Sequence, residues 1–178
     1  MTEGAKRTSA VVRVAGTEDF EQLAALLMEC FDHYGDHPQR FLPEVLGALR
    51  DHGTGAGPAF EALLAEVGGP HGRRRAERQA VGFAIFGNIF WTGDLAPALF
   101  LKEIYVQPAF RGQGLGRSLM ASLARVTLQR QWRRIVWTVD HDNPTAARFY
   151  ETLPGAALLG KRFYGITEDN LEDVAGRI

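Results

Sequence analysis

Several things are scarce in this 178-residue chain, and each scarcity excludes a class of protein. There is one cysteine, Cys30, so no internal disulfide framework can staple the fold, and the composition suits a reducing cytoplasmic compartment. Acidic and basic side chains nearly cancel, at a formal net charge of −1, which leaves no footprint for nucleic acid or an anionic membrane. No apolar run approaches the roughly 20 residues of a membrane span. Residues 1–9 carry two basic groups but lack the apolar stretch of a secretory signal. Metal ligands are scarce too. His33 and His37 are four apart, but Gly35 between them and Pro38 after them argue against a helical metal pair, so no metal is expected.

What remains is ordinary globular material, 46% hydrophobic and 23% charged, enough for one well-cored domain over 9–178 behind a disordered tail at 1–8. Residues 9–14 are β-branched and read as a strand. Thr17 is placed to cap a helix in which Phe20, Leu23, Ala24, Leu27, Met28 and Phe31 recur at helical spacing. Gly35 and Pro38 end it, leaving 32–37 as a polar loop. A shorter helix is expected over 43–52, followed by a glycine-rich connection. Residues 59–67 fit either a helical or a strand period, and their spacing leaves both open. A polar loop, 68–79, holds Arg73, Arg74, Arg75 and Arg78. Two strands, 80–90 and 98–106, flank turn residues 91–94. A helix over 117–130, a strand over 134–139 and a helix over 143–152, with Asn143 as cap and Pro144 at its first position, come next. Two short strands, 156–159 and 162–166, close the chain.

The most informative segment runs from Val106 to Arg117. It joins an apolar strand to a helix through Arg111-Gly112-Gln113-Gly114-Leu115-Gly116-Arg117. Glycines there let backbone N–H groups approach a ligand unobstructed, and the helix dipole favours negative charge, so the expected ligand bears phosphate. The dinucleotide fingerprint G-x-G-x-x-G fails, because position 117 is Arg. A P-loop fails as well, because no Gly-Lys-Ser/Thr follows.

R-x-x-G-x-G preceded by V-x-P, with Asn143-Pro144-Thr145-Ala146-Ala147-Arg148-Phe149-Tyr150 downstream, resembles the GNAT superfamily of N-acetyltransferases. The likeness covers about 81–166 and is nearest the diamine (spermidine/spermine) acetyltransferase-like subfamily. It implies an α/β (α+β) fold, a mixed, mostly antiparallel sheet of about seven strands with helices on both faces. It also implies acetyl-CoA as co-substrate. Backbone N–H groups of Gly112, Gln113, Gly114, Leu115, Gly116 and Arg117 would then hold the pyrophosphate, with charge added by Arg111 and Arg117. Ile104, Tyr105 and Val106 would pair with the pantetheine arm, Asn143 would contact the cofactor, and Tyr150 would protonate the departing thiolate. A phenol, with a pKa near ~10, donates readily at neutral pH.

Glu103 is the best candidate base, since a carboxylate in an apolar strand needs a reason to be there. Strict alternation puts it on the opposite face from Lys102. In the resembling subfamily this strand reads Leu-Glu-Asp, whereas here it reads Leu101-Lys102-Glu103, a departure that bears on polyamine acceptors. Asp32 and Asp36, in the loop after the first helix, are positioned with Glu103 to attract a cationic amine. The expected activity is acetyl transfer to the primary amine of a small cationic molecule by direct attack. A peptide or protein amine, or a coenzyme A-binding module without turnover, stay open as alternatives. The family habit and the 171/174 apolar pair near the C-terminus suggest a homodimer. Cys30, Trp132 and Trp137 read as packing residues.

Overall fold

The computed structural model describes residues 10–35, 40–53, 57–68 and 78–176. Asp36, His37 and Arg73 to Arg75 lie outside them. The chain forms two compact units, Met1–Thr138 and Val139–Ile178.

The first unit is built on a five-stranded sheet whose spatial order follows the chain: β1 (Ala10–Val14), β2 (Glu61–Gly68), β3 (Arg78–Trp91), β4 (Ala96–Val106) and β5 (Ile135–Trp137). The first four are antiparallel neighbours and β5 runs parallel to β4. A parallel pair needs a long crossover, and α3 (Leu115–Gln129) supplies it. Helices α1 (Phe20–Tyr34) and α2 (Leu42–His52) cover one face of the sheet. On that face Leu23, Ala24, Leu26 and Cys30 pack with Val45 and Leu49 over Ala62, Leu64, Phe83 and Tyr105. Leu63, Leu99 and Leu101, which alternate with that set, are buried with Leu115, Leu119 and Leu123 of α3. The mixed, mostly antiparallel sheet with helices on both faces is the expected architecture.

Residues 59–67, ambiguous by period, form a strand because β2 lies between β1 and β3 and is buried on both faces. Glu66 is buried there and is met by Arg13, whose Nε donates to Glu66 Oε1 at 2.9 Å. The same guanidinium forks onto buried Asp19 at 2.7 and 2.8 Å. Hydrogen bonds to Asp19, then to Glu66, outweigh burial and hold Arg13 above its usual pKa. Removing one partner from such a buried group typically costs about 3–5 kcal/mol.

Three sequence expectations are corrected. The chain enters α1 through a 3-10 turn, Thr17–Asp19, capped at Gly16 rather than Thr17, and the Asp19 carboxylate accepts the Gly16 N–H at 2.8 Å. A carboxylate is a stronger acceptor than a threonine hydroxyl, and Arg13 holds this one in place. Helix α1 runs on to Tyr34 and ends at Gly35 with φ +71°, so Asp32 and His33 are in its last turn and not in a loop. Residues 156–159 and 162–166 form no strand. The described sheet therefore has five strands, not seven.

The second unit contains α4 (Pro144–Glu151) and α5 (Glu168–Ala175). Between them the chain is exposed, Leu158 by 94% and Tyr164 by 84%. A strand exists only as a partner in a ladder, and short runs interrupted by Gly155, Gly160 and Gly165 have a weak claim on one.

Candidate active site

The site grows from one irregularity in β4. Ile85 of β3 faces Glu103, but the next residue, Phe86, faces Leu101, so Lys102 is an extra residue in the ladder. This β-bulge undoes the two-residue period. Leu101 joins the α3 face, whereas Glu103, two positions on, shares the α1 face with Ile85, Phe83 and Tyr105. The expectation that Lys102 and Glu103 point apart is overturned for the same reason: Lys102 Nζ lies 3.7 Å from Glu103 Oε2.

Glu103 is half-buried, with 20% of its side chain exposed. Cys30 of α1 is buried beside it. Burial first, then the Glu103 charge and a hydrogen bond with it, push the Cys30 thiol from 9.0 up to about 12. The thiol is therefore a neutral wall of the site at physiological pH, in keeping with its packing role.

Past the bulge, β4 outruns its neighbour. The parallel ladder to β5 ends at the Leu101–Trp137 pair, so residues 102–106 keep β3 on one edge and, among the described residues, have no strand on the other. Ile104 is half-buried on that stretch, and the Tyr105 ring is buried in the core against Phe83, with centroids 6.0 Å apart. Burial, then the nearby charge of Glu29, raise the Tyr105 pKa. Only the backbone of Tyr105 is left to meet a ligand. The Val106 carbonyl accepts from Arg111 Nε at 2.9 Å, and the Arg111 guanidinium sits 5.7 Å from the Tyr105 ring centre. Gln107 Nε2 donates to Glu29 at 2.9 Å, tying the strand end to α1.

The chain then turns through Pro108–Phe110 into the glycines. Gly112 and Gly114 have φ of +74° and +85°, and no heavy atom of the described residues lies within 4 Å of where a Cβ would sit on either. The left-handed backbone demands glycine, and the space beside it is open. Gly114 caps α3 without a side-chain bond. The first intrahelical bond is donated by Ser118 to the Gly114 carbonyl at 3.0 Å, so the amides of Leu115, Gly116 and Arg117 precede it. No acidic residue lies in that first turn. Arg111, Gln113 and Arg117 are exposed around the turn, while the Leu115 side chain anchors it in the core. This donor set fits a phosphate-bearing cofactor.

Asp32 is exposed on α1. In the second unit Asn143 caps α4, its Oδ1 accepting from the Ala146 N–H at 3.0 Å, and half-buried Tyr150 lies near the end of the same helix against Phe149. Three neighbours of the site escape sequence reading: Cys30 beside Glu103, Glu29 on Gln107, and Lys102 beside Glu103. No local signal links α1 to β4. The bulge has no residue signature either, although a Lys-Glu pair inside an apolar strand marks a place where alternation is under strain.

Known proteins resemble this chain in sequence or in fold. Thialysine N-epsilon-acetyltransferase of Sus scrofa is 33% identical over 108 residues, 60% of this chain and 61% of that protein, so more than a third of the relative is unmatched. The Mus musculus protein of the same name is 31% identical over 138 residues, 73% of this chain and 77% of its own. A V. cholerae integron cassette protein superposes with a TM-score of 0.78 at 23% identity, over 94% of this chain and 98% of that one, a likeness of fold. The acetyltransferase (GNAT) family model matches residues 20–153, from the start of α1 through β4, the glycine turn and α4. By that match, which spans the bulge and the turn together, the chain belongs to the acetyltransferase (GNAT) family.

Proposed function

We propose that the protein is an acetyl-CoA-dependent N-acetyltransferase acting on a primary amine of a small cationic molecule. The observation that carries this reading is the run from bulge to turn. A half-buried carboxylate, a strand end that outruns β5 and has, among the described residues, no strand on that edge, and a glycine-opened helix N-terminus without a side-chain cap follow one another within 102–117. Acetyl-CoA supplies the activated acyl group as a thioester.

The amides from Gly112 to Arg117 hold the pyrophosphate, and Arg117 adds charge, as does Arg111 from its perch on Val106. The edge of 104–106, which among the described residues has no strand beside it, would receive the pantetheine arm by strand-like pairing, and its amides would supply a donor for the negative charge that develops on the thioester oxygen. Glu103 takes a proton from the acceptor ammonium, directly or through a water, so that the neutral amine attacks the acyl carbon. A new C–N bond forms as the C–S bond breaks, Tyr150 gives its proton to the leaving sulfur, and the second proton shed by the amide nitrogen passes through water to restore the phenol. Asp32, Asp36 and Glu103 draw the cation in.

The same reading makes the chain a cytoplasmic homodimer with no nucleic-acid or membrane partner. Among the described residues no helix is long and apolar enough to cross a membrane. Leu171 and Val174 of α5, 53% and 46% exposed, are the proposed contribution to the dimer. Sedimentation at the 19.6 kDa monomer mass at micromolar concentration would argue against it. The activity is tested by following coenzyme A release from acetyl-CoA across polyamines, amino acids, aminoglycosides and peptides. Turnover with small amines is expected. Turnover confined to peptides, or none at all, would overturn the reading.

A further inference from the structure

The Lys102–Glu103 pair sits at the bulge of β4. Lys102 is 65% exposed and its ammonium stands 3.7 Å from the carboxylate, a surface contact of a kind that adds little stability. A regular strand would send this lysine to the other face. The bulge is what turns it toward Glu103. The consequence is electrostatic. An acceptor amine delivered to Glu103 meets a fixed positive charge one residue away. Arg111, the next cation along, is already engaged by the Val106 carbonyl and the Tyr105 ring.

We propose that Lys102 is a specificity-determining residue that selects an amine also bearing a carboxylate, and disfavours a polyamine whose second ammonium would approach the lysine. This rests on the reading of Glu103 as the acceptor-side carboxylate given above, and it names the substrate class within that reading. Like charges repel and opposite charges attract at such a partly exposed site by an amount worth about fivefold in affinity per charge. Screening by salt weakens the discrimination.

Lysine and cadaverine differ only by the carboxylate and provide the test. For wild type, Lys102→Gln and Lys102→Glu, kcat/KM is measured for both acceptors at low and high salt. Acceptor affinity in the presence of coenzyme A is measured by calorimetry, so that the outcome does not hang on turnover. Wild type is expected to favour lysine, with the ratio about fivefold lower in Lys102→Gln and inverted in Lys102→Glu, and with these differences shrinking at high salt. A lysine that merely supports the fold would change both acceptors alike. A lysine-to-cadaverine ratio that is the same in all three proteins, or no binding of either compound, overturns the proposal. Absence of acetyl transfer, with an affinity ratio that still inverts in Lys102→Glu, defeats the activity reading and upholds this one.

Discussion

Two helices of this protein begin in opposite ways. Helix α4 begins closed: Asn143 Oδ1 accepts the Ala146 amide at 3.0 Å, and Pro144 removes a donor that would otherwise need a partner. Helix α3 begins open, capped by a left-handed glycine with no side-chain acceptor and preceded by a second glycine with positive φ. A helix whose own sequence satisfies its first turn is finished by local chemistry. One whose sequence withholds the cap, with open space beside it, has donors left for an external anion. On the proposed function the difference separates a structural N-terminus from a binding one, and it is testable from both sides.

The largest effect is expected where the open end is closed. Gly114→Asp places an anion beside the amides of α3, and coenzyme A affinity measured by calorimetry should fall beyond detection. Gly114→Ala adds a Cβ in strained backbone, costing about 1 kcal/mol, but no charge, and should lose less. Equal affinity in the aspartate variant and wild type would remove α3 from the cofactor site.

Next come the two groups proposed to handle protons, one on the strand that feeds the open helix and one on the closed helix. Glu103→Gln should lower kcat by about 10²–10⁴, with partial recovery at high pH, where the amine is already neutral. A raised KM with kcat intact would instead make Glu103 an attractor of cations. Tyr150→Phe removes only the hydroxyl and should cost a similar factor if the phenol protonates sulfur. A kcat within a fewfold of wild type would leave Tyr150 as a packing residue of α4.

A smaller change tests the closed end. Asn143→Ala should destabilise α4 by about 1 kcal/mol, read by hydrogen exchange of its first turn. If the side chain is spent on the cap, the KM for acetyl-CoA stays put. A rise in KM with exchange unchanged would give Asn143 the cofactor contact instead.

The smallest effect concerns the wall beside Glu103. With its thiol pushed up to about 12 in the folded protein, from 9.0, Cys30 keeps its proton when the unfolded chain would lose it. Its contribution to stability is therefore complete below about pH 9 and declines as pH rises from there toward 12. Native protein should react slowly with a thiol reagent at about pH 8 and rapidly once unfolded, and fast native labelling would contradict the burial.

Much of this architecture is legible in the amino-acid sequence, and the reasons differ by element. The helical spacing of Phe20 to Phe31, the turn chemistry at 91–94 and the Asn143-Pro144 cap are local signals, and α1, the β3–β4 hairpin and α4 follow them. The glycine turn is equally plain, because positive φ and bare backbone have one residue type that suits them. Residues 156–166 mislead because short apolar runs look like strands, and strand formation depends on a partner that lies elsewhere in the chain.

The helices from α1 to α4, the position of the glycine turn and the identity of the acid in an apolar strand are written in the chain, because each rests on residues close together in sequence. Three features of the site are not. That β4 bulges at Lys102, that Glu103 faces Cys30, and that the β5 ladder stops at Leu101 while β4 runs on all emerge only on folding. They follow from the register between β3 and β4 and from where β5 stops, and register is a property of paired backbones that neither strand carries alone.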